Sequence, residues 1–180
     1  PADELRESIW MHASSPALWV EHTRNFTNST ALMSIAGYIT GLGDRHLSNI
    51  MVQRHTGTVV HIDFGESFES ATMRESFPEY VPFRMTRLIV NALEGGSVEG
   101  IFKCSCEDFL YLLREHISPV IAQLEIFVHE PIFTSRAVHR NQHQILSRVS
   151  QKISGADYDY GGDESRDMTV PQQVKVLIDA

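Results

Sequence analysis

Apolar residues recur along this chain with two periods, and the elements follow from the switches between them. Leu5, Ile9 and Trp10 sit at helical spacing until Ser14-Ser15-Pro16 interrupts them. Residues 1–27 therefore read as one helix and a connector, with Trp19 as a packing residue. From Ser29, taken as an N-cap, Leu32, Ile35, Ala36 and Ile39 share one face, and Gly41 and Gly43 end that helix. The period then drops to two. Ile50 and Val52 alternate, His55-Thr56-Gly57 turns the chain, and Thr58 to Ile62 alternate again, which predicts a hairpin over 50–62. No period survives between Gly65 and Pro82. Helical spacing returns at Leu88, Ile89, Ala92 and Leu93, with Pro82 on the approach and Gly95-Gly96 as the stop. A further helix is expected behind a Ser105/Asp108 capping pair, with Phe109, Leu112 and Leu113 inward. Another opens at Ser118-Pro119, turns Ile121, Leu124 and Phe127 or Val128 inward, and ends at Pro131. Residues 135–153 read as helical through Ile145, Leu146, Val149 and Ile153. The acidic, Gly-rich stretch 155–167 reads as an exposed linker, and a last helix starts at Pro171. The expected class is α+β, predominantly α-helical, with one small hairpin.

Composition narrows this only slightly. The 180 residues are 42% hydrophobic and 21% charged, as expected for a globular domain with a real core. A formal net charge of −8 argues against bulk attraction to nucleic acid or an anionic membrane. Two cysteines, Cys104 and Cys106, form neither a disulfide framework nor a zinc site. The most apolar run, Ala31 to Gly43, is broken by Ser and Thr and falls short of a membrane span. The start, PADELRES, does not read as a signal peptide.

The chemistry is concentrated in GLGDRHLSNIMVQRHTGTVVHIDFG, from Gly41 to Gly65. Asp44 and Asn49 lie five apart in a Gly-bounded turn, and the hairpin then delivers Asp63 in an Asp-Phe-Gly triplet. Asn49 and Asp63 fall at the two open ends of the hairpin, on one side, where both can reach one metal. Phosphoryl transfer needs this layout: a carboxylate on the attacking hydroxyl, and an Asn and a second Asp holding Mg²⁺ against the triphosphate. In ordinary protein kinases the first Asp follows His-Arg. Here the order is reversed, Asp44-Arg45-His46, with the same step to the Asn. The remaining histidines, His61 included, read as structural or surface groups.

The string GYITGLGDRHLSN, then HIDFG, then VPFRMTR resembles the phosphatidylinositol-3-kinase-related kinases. Two further stretches, FKCSCEDFLYLLREHISPVIAQLEIFVHEPIF and ILSRVSQKISGADY followed by VPQQVKVLIDA, resemble the TOR members of that family. The resemblance implies a PI3K/PI4K-type kinase C-lobe over residues 1–133, with a catalytic loop at 41–49 and an activation loop at 63–83. It implies a C-terminal helix and acidic linker over 134–167, and the start of the segment called FATC over 168–180, cut before its aromatic end. The stretch between Phe133 and Ile145 is short against some TOR proteins. Asp44 would activate the substrate hydroxyl, His46 steady the transferring phosphoryl group, and Asn49 and Asp63 hold Mg²⁺ or Mn²⁺. Met51 and Ile62 would line the adenine pocket of ATP from below. Phe64, Gly65, Pro82 and Phe83 would bound the activation loop.

The resemblance further implies Ser/Thr protein substrates, growth and nutrient signalling, and a cytoplasmic location, with the nucleus and endomembrane surfaces as further sites. No Gly-rich phosphate loop or Lys strand is present, so the N-lobe of the same kinase is expected upstream. A rapamycin-binding region and a region receiving a WD-repeat adaptor in a multiprotein complex are expected there too. Between Gly65 and Pro82, Glu66, Glu69, Glu75 and Glu79 stand against Arg74 alone, a balance of −3 that disfavours an anionic lipid headgroup. The rival readings are a DNA-damage-type relative, a phosphoinositide 3-kinase and a non-catalytic scaffold. The last would be expected to lose Asp44, Asn49 or Asp63, and none is lost.

Overall fold

One long helix, α2 (Pro16–Thr40), runs through the centre of the molecule, and the site is hung from its end. The computed structural model describes residues 2–73, 78–129, 142–157 and 167–180. α2 starts fourteen residues earlier than an N-cap at Ser29 suggested. Ser15 is its N-cap, accepting from the Leu18 N–H at 3.3 Å, and Pro16 occupies the first turn. The Ser-Ser-Pro break was thus a start signal. Ser29 is not a cap but an interior residue: its Oγ donates back to the Asn25 carbonyl at 2.6 Å and accepts from the Val59 N–H at 2.8 Å. α2 ends at Gly41, in the left-handed conformation (φ 57°).

Around α2 the core is a single cluster. Phe26, Ala31, Ile35 and Tyr38 of α2 meet Phe102, Cys106 and Leu110 of α4 (Ile101–Glu115). The same cluster takes in Val149 and Ile153 of α6 (Gln142–Ser154) and Val170, Val174 and Leu177 of α7 (Val170–Asp179). α1 (Glu4–Met11) adds Ile9, and α3 (Arg87–Ala92) adds Ile89 and Ala92. Trp19 packs edge-on against Trp10, with centroids 5.2 Å apart.

Three local expectations shift, and one left open between Phe127 and Val128 is settled. α3 is capped by Thr86, so Pro82 lies well before it. Ser105 is inside α4 and meets Asn28 Oδ1 at 3.0 Å, and Leu112 is half exposed while Leu110 is buried. In α5 (Ile117–His129) Val128 is the fully buried residue and Phe127 is half exposed. Asp157, expected in an exposed linker, is fully buried. The expected stop at Pro131, the stretch 135–141 and most of the acidic linker lie outside the described residues.

The hairpin is β1 (Ile50–Val52) against β2 (Val59–His61), paired Ile50 to His61, Met51 to Val60 and Val52 to Val59. Its inner face packs on α2. Gly57 makes that close approach possible, since a Cβ there would stand 2.3 Å from the His22 carbonyl oxygen. Cys106 is free, and burial pushes its thiol up to about 12; Cys104 is free and exposed. Among the described residues no helix is long and apolar enough to cross a membrane.

Candidate active site

Because α2 is packed along its length, the turn that leaves it is fixed in space. Gly43 follows in a position that excludes any side chain, since a Cβ would lie 2.2 Å from Ala71 Cβ. Asp44 then takes φ 56°, left-handed backbone that costs a non-glycine residue roughly 1–2 kcal/mol. Asp63, at the other end of the site, takes φ 60°. Two carboxylate residues held against their backbone preference in one place require something that holds them.

Two residues outside the expected site do this. Arg45 is buried, and its guanidinium donates to three backbone carbonyls. Nε reaches Gly43 O at 2.7 Å, Nη1 reaches Ile62 O at 2.8 Å, and Nη2 reaches Asp63 O. It therefore staples the turn at Gly43 to the Asp63 end of the hairpin. Burial lowers its pKa, while Asp44, Asp63 and Glu79 oppose that. Glu79 holds the other side: its Oε2 accepts the Asp44 N–H at 3.0 Å. The Arg of Asp-Arg-His was visible in the sequence, but nothing in its spacing says that it turns inward. Glu79 lies 35 residues away, beyond any local pattern.

The expected site residues come together around this staple. Asn49 is buried, and its Nδ2 donates to the Asp44 carbonyl at 2.9 Å. Among the described residues its Oδ1 accepts nothing, which leaves one amide oxygen for a cation. The Ile62 N–H donates to Asn49 O at 3.0 Å, so the Asn49 and Asp63 ends of the hairpin are adjacent. Asp63 is exposed, with Oδ1 accepting the Gly65 N–H at 3.2 Å. An amide oxygen and a carboxylate are hard oxygen donors of the kind Mg²⁺ prefers, so the donor set fits the expected metal. His46 Nδ1 accepts the Ser48 N–H at 3.2 Å and caps the 3₁₀ turn Leu47–Asn49, so in the neutral ring Nε2 carries the proton. Nε2 lies 3.9 Å from Asp44 Oδ2, an ion-pair distance rather than a hydrogen bond. His61 has no such part. Burial, then Arg45, push it down to about 4, and it stays neutral on the inner face of the hairpin.

Met51 and Ile62 stand on the outer face with Val60, each two-fifths or more exposed. Leu47 and Phe64 extend the exposed apolar surface beside them. Sequence reading missed Val60 and Leu47, although alternation puts Val60 on the Met51 face. At the far end of the expected activation loop Pro82 is buried, and Phe83 packs against Phe102 with centroids 6.4 Å apart, so that end is anchored in the core.

Comparison with known proteins matches this arrangement. A family profile described as phosphatidylinositol 3- and 4-kinase covers residues 1–136. The chain belongs to that family. It is 41% identical over 157 residues, 87% of its length, to the serine/threonine-protein kinase TOR of Arabidopsis thaliana. It is 46% identical over 220 aligned positions, 97% of its length, to TOR2 of Saccharomyces cerevisiae, an alignment longer than the chain itself. It spans 6% and 9% of those two relatives. Among solved structures, the complete CtTel1 dimer matches over 97% of this chain and 6% of that one, at a TM-score of 0.77 and 31% identity. The recognition as a phosphatidylinositol-3-kinase-related kinase, like the TOR members, holds.

Proposed function

We propose that this chain is the catalytic C-lobe of a TOR-type kinase that transfers the γ-phosphoryl group of ATP to Ser and Thr hydroxyls of proteins. The observation that carries this reading is the stapled loop that brings Asp44, Asn49 and Asp63 together. Asn49 Oδ1 and the Asp63 carboxylate would hold Mg²⁺ or Mn²⁺, which when bound neutralises charge on the phosphates. Asp44 accepts the proton of the attacking hydroxyl and orients it; a half-exposed carboxylate beside the cleft can do both. His46 Nε2–H, on the same side, supplies a donor toward the transferring group. The outer apolar face of Met51 and Ile62 offers a floor for the adenine, and the N-lobe of the same kinase would close over it and exclude water.

Protein rather than lipid as substrate rests on the relatives, named serine/threonine-protein kinases. The charge count supports it less than it first did. Of the four Glu in the loop, Glu69 is paired with Arg148 and Lys152, and Glu79 is turned onto the Asp44 amide. The TOR assignment over a DNA-damage-type relative rests on the relatives that bear the TOR name, 41% identical over 87% of the chain in Arabidopsis thaliana and 46% identical over 97% in Saccharomyces cerevisiae. A cytoplasmic growth-signalling role within a multiprotein complex containing a WD-repeat adaptor follows from that assignment. The test is radiolabelled ATP with the full-length kinase, offered a Ser/Thr peptide library and phosphoinositide vesicles side by side. Peptide labelling that vanishes in Asp44→Ala is the expected result. Lipid labelling that matches it and vanishes with the same substitution rejects the protein-kinase reading.

A further inference from the structure

The segment after Asp-Phe-Gly contains two more left-handed residues, Phe68 (φ 58°) and Glu69 (φ 61°). Neither is glycine, and no glycine flanks them. Their amides are tied to the end of α2: Phe68 N–H donates to Thr40 O at 2.7 Å, and Glu69 N–H donates to Gly41 O at 3.0 Å. Gly43 N–H returns a bond to Glu66 O at 2.8 Å. The strained turn is therefore laid directly against the backbone that launches Asp44. At Gly41 the fit is so close that a Cβ would meet Glu69 N at 2.6 Å.

The Glu69 side chain points away from the cleft, into α6. Its Oε1 lies 2.7 Å from Lys152 Nζ and 3.1 Å from Arg148 Nε. Burial raises the Glu69 carboxyl, but Lys152 and Arg148 overcome that and hold it below its ordinary value. Lys152 is almost fully buried and also donates to the Tyr38 carbonyl at 3.0 Å, in the last turn of α2. Arg148 extends to Asp157 Oδ1 at 2.8 Å, and the Tyr38 hydroxyl donates to Asp157 Oδ2 at 2.6 Å. α7 closes the network. Gln173 Nε2 reaches Tyr38 Oη at 3.0 Å and Lys152 O at 2.7 Å, while Arg114 Nη2 donates to Gln173 Oε1 at 2.7 Å.

We infer that Glu69 is a positioning residue for phosphoryl transfer: Lys152 and Arg148 of α6 lock the strained Phe68–Glu69 turn, and through it the Gly41–Gly43 backbone that aims Asp44. The inference rests on the proposed kinase reading, and goes beyond it in placing the control of the catalytic loop in the C-terminal helices. A buried cation that lost its partner would be costly, so the lock holds as a unit or fails as one. Release lets the turn relax to ordinary backbone, and a displacement of about 1 Å at a reacting carboxylate costs on the order of 10²-fold in rate.

The experiment uses the full-length kinase with Glu69→Gln, Lys152→Met, their combination, and Lys152→Arg as the charge-keeping control. The two single variants should lower kcat for peptide about 10- to 100-fold with KM for MgATP unchanged. The double variant should lose no more than either, and Lys152→Arg should recover most of the rate. Independently, hydrogen exchange of peptides containing Gly41, Gly43, Phe68 and Glu69 should accelerate in both single variants, while α4 stays protected. That arm decides the lock even where no substrate is phosphorylated: an inactive wild-type enzyme with the exchange change rejects the kinase reading and keeps the lock. Unchanged exchange at the 40–43 and 66–69 segments in a folded Glu69→Gln enzyme overturns the inference. So does wild-type kcat in that variant. Should Lys152→Met fail to fold, Glu69→Gln and Lys152→Arg alone carry both readouts.

Discussion

Replacing Arg45 separates a residue that does chemistry from one that makes it possible. The guanidinium satisfies three backbone carbonyls, those of Gly43, Ile62 and Asp63. Hydrogen bonds from a charged donor are worth about 1.5–3 kcal/mol each. Their sum does not appear as stability, because burying the guanidinium has a desolvation cost, seen in the lowering of its pKa, and because water can reach some of the freed carbonyls. A net destabilisation of about 2–4 kcal/mol by Arg45→Ala is the expected outcome. The larger effect is on geometry. Asp44 and Asp63 both sit in left-handed backbone, and the staple is what joins their two segments. Without it each relaxes independently, and activity should fall about 10²-fold or more. Arg45→Lys sharpens the test, since an ammonium keeps the charge but cannot span three divergent carbonyls. Urea unfolding measures the first quantity, and steady-state kinetics on the full-length kinase measures the second. An Arg45→Lys enzyme with wild-type kcat would show that the charge, and not the fork, is what the site needs, and the positional argument would fall.

Two other outcomes follow from the same geometry. Asp44→Ala and Asp63→Ala should each lower phosphorylation by about 10³-fold or more, but only Asp63→Ala should weaken Mg²⁺-dependent nucleotide binding; equal loss of MgATP binding in both, read by fluorescence titration, refutes the division of roles. Glu69 is ionised in the fold below its ordinary pKa, because Lys152 and Arg148 outweigh its burial. Its stabilising contribution is therefore complete above pH 4.5 and is lost as the pH falls through its folded value; Glu69→Gln should flatten the acid limb of the stability–pH curve, and an unchanged limb counts against the pairing.

What was legible in the sequence was whatever local pattern specifies. Asp44, Asn49 and Asp63 stand out as candidates because motif spacing and a two-residue period place them. The hairpin was found because its alternation is clean and His55-Thr56-Gly57 can only turn. The missed features are those that non-local packing decides. Ser29 looks like a cap from its neighbours, yet the helix runs on because His22, Phe26 and Thr27 are buried on the turns before it, and tertiary burial outweighs a local start signal. Ser105 failed for the same reason. Arg45 and Asp157 are harder cases, since composition assigns both to the surface. Each is buried only because backbone carbonyls in one case, and Tyr38 with Arg148 in the other, stand ready to satisfy it.

The acidic loop shows why a count of charges is weaker than their placement. Four Glu against one Arg suggested a surface that repels an anionic headgroup, on the premise that all of them face the substrate. Glu69 instead faces two cations of α6, and there its charge is neutralised locally. Glu79 is spent on a backbone amide, where its job is to hold Asp44. A carboxylate that is already paired projects little field into a cleft several ångströms away, because its partner's opposite charge cancels it at that range. Glu79 keeps its charge, since a neutral amide does not cancel it, but its contact is geometric: Oε2 fixes the backbone from which Asp44 points.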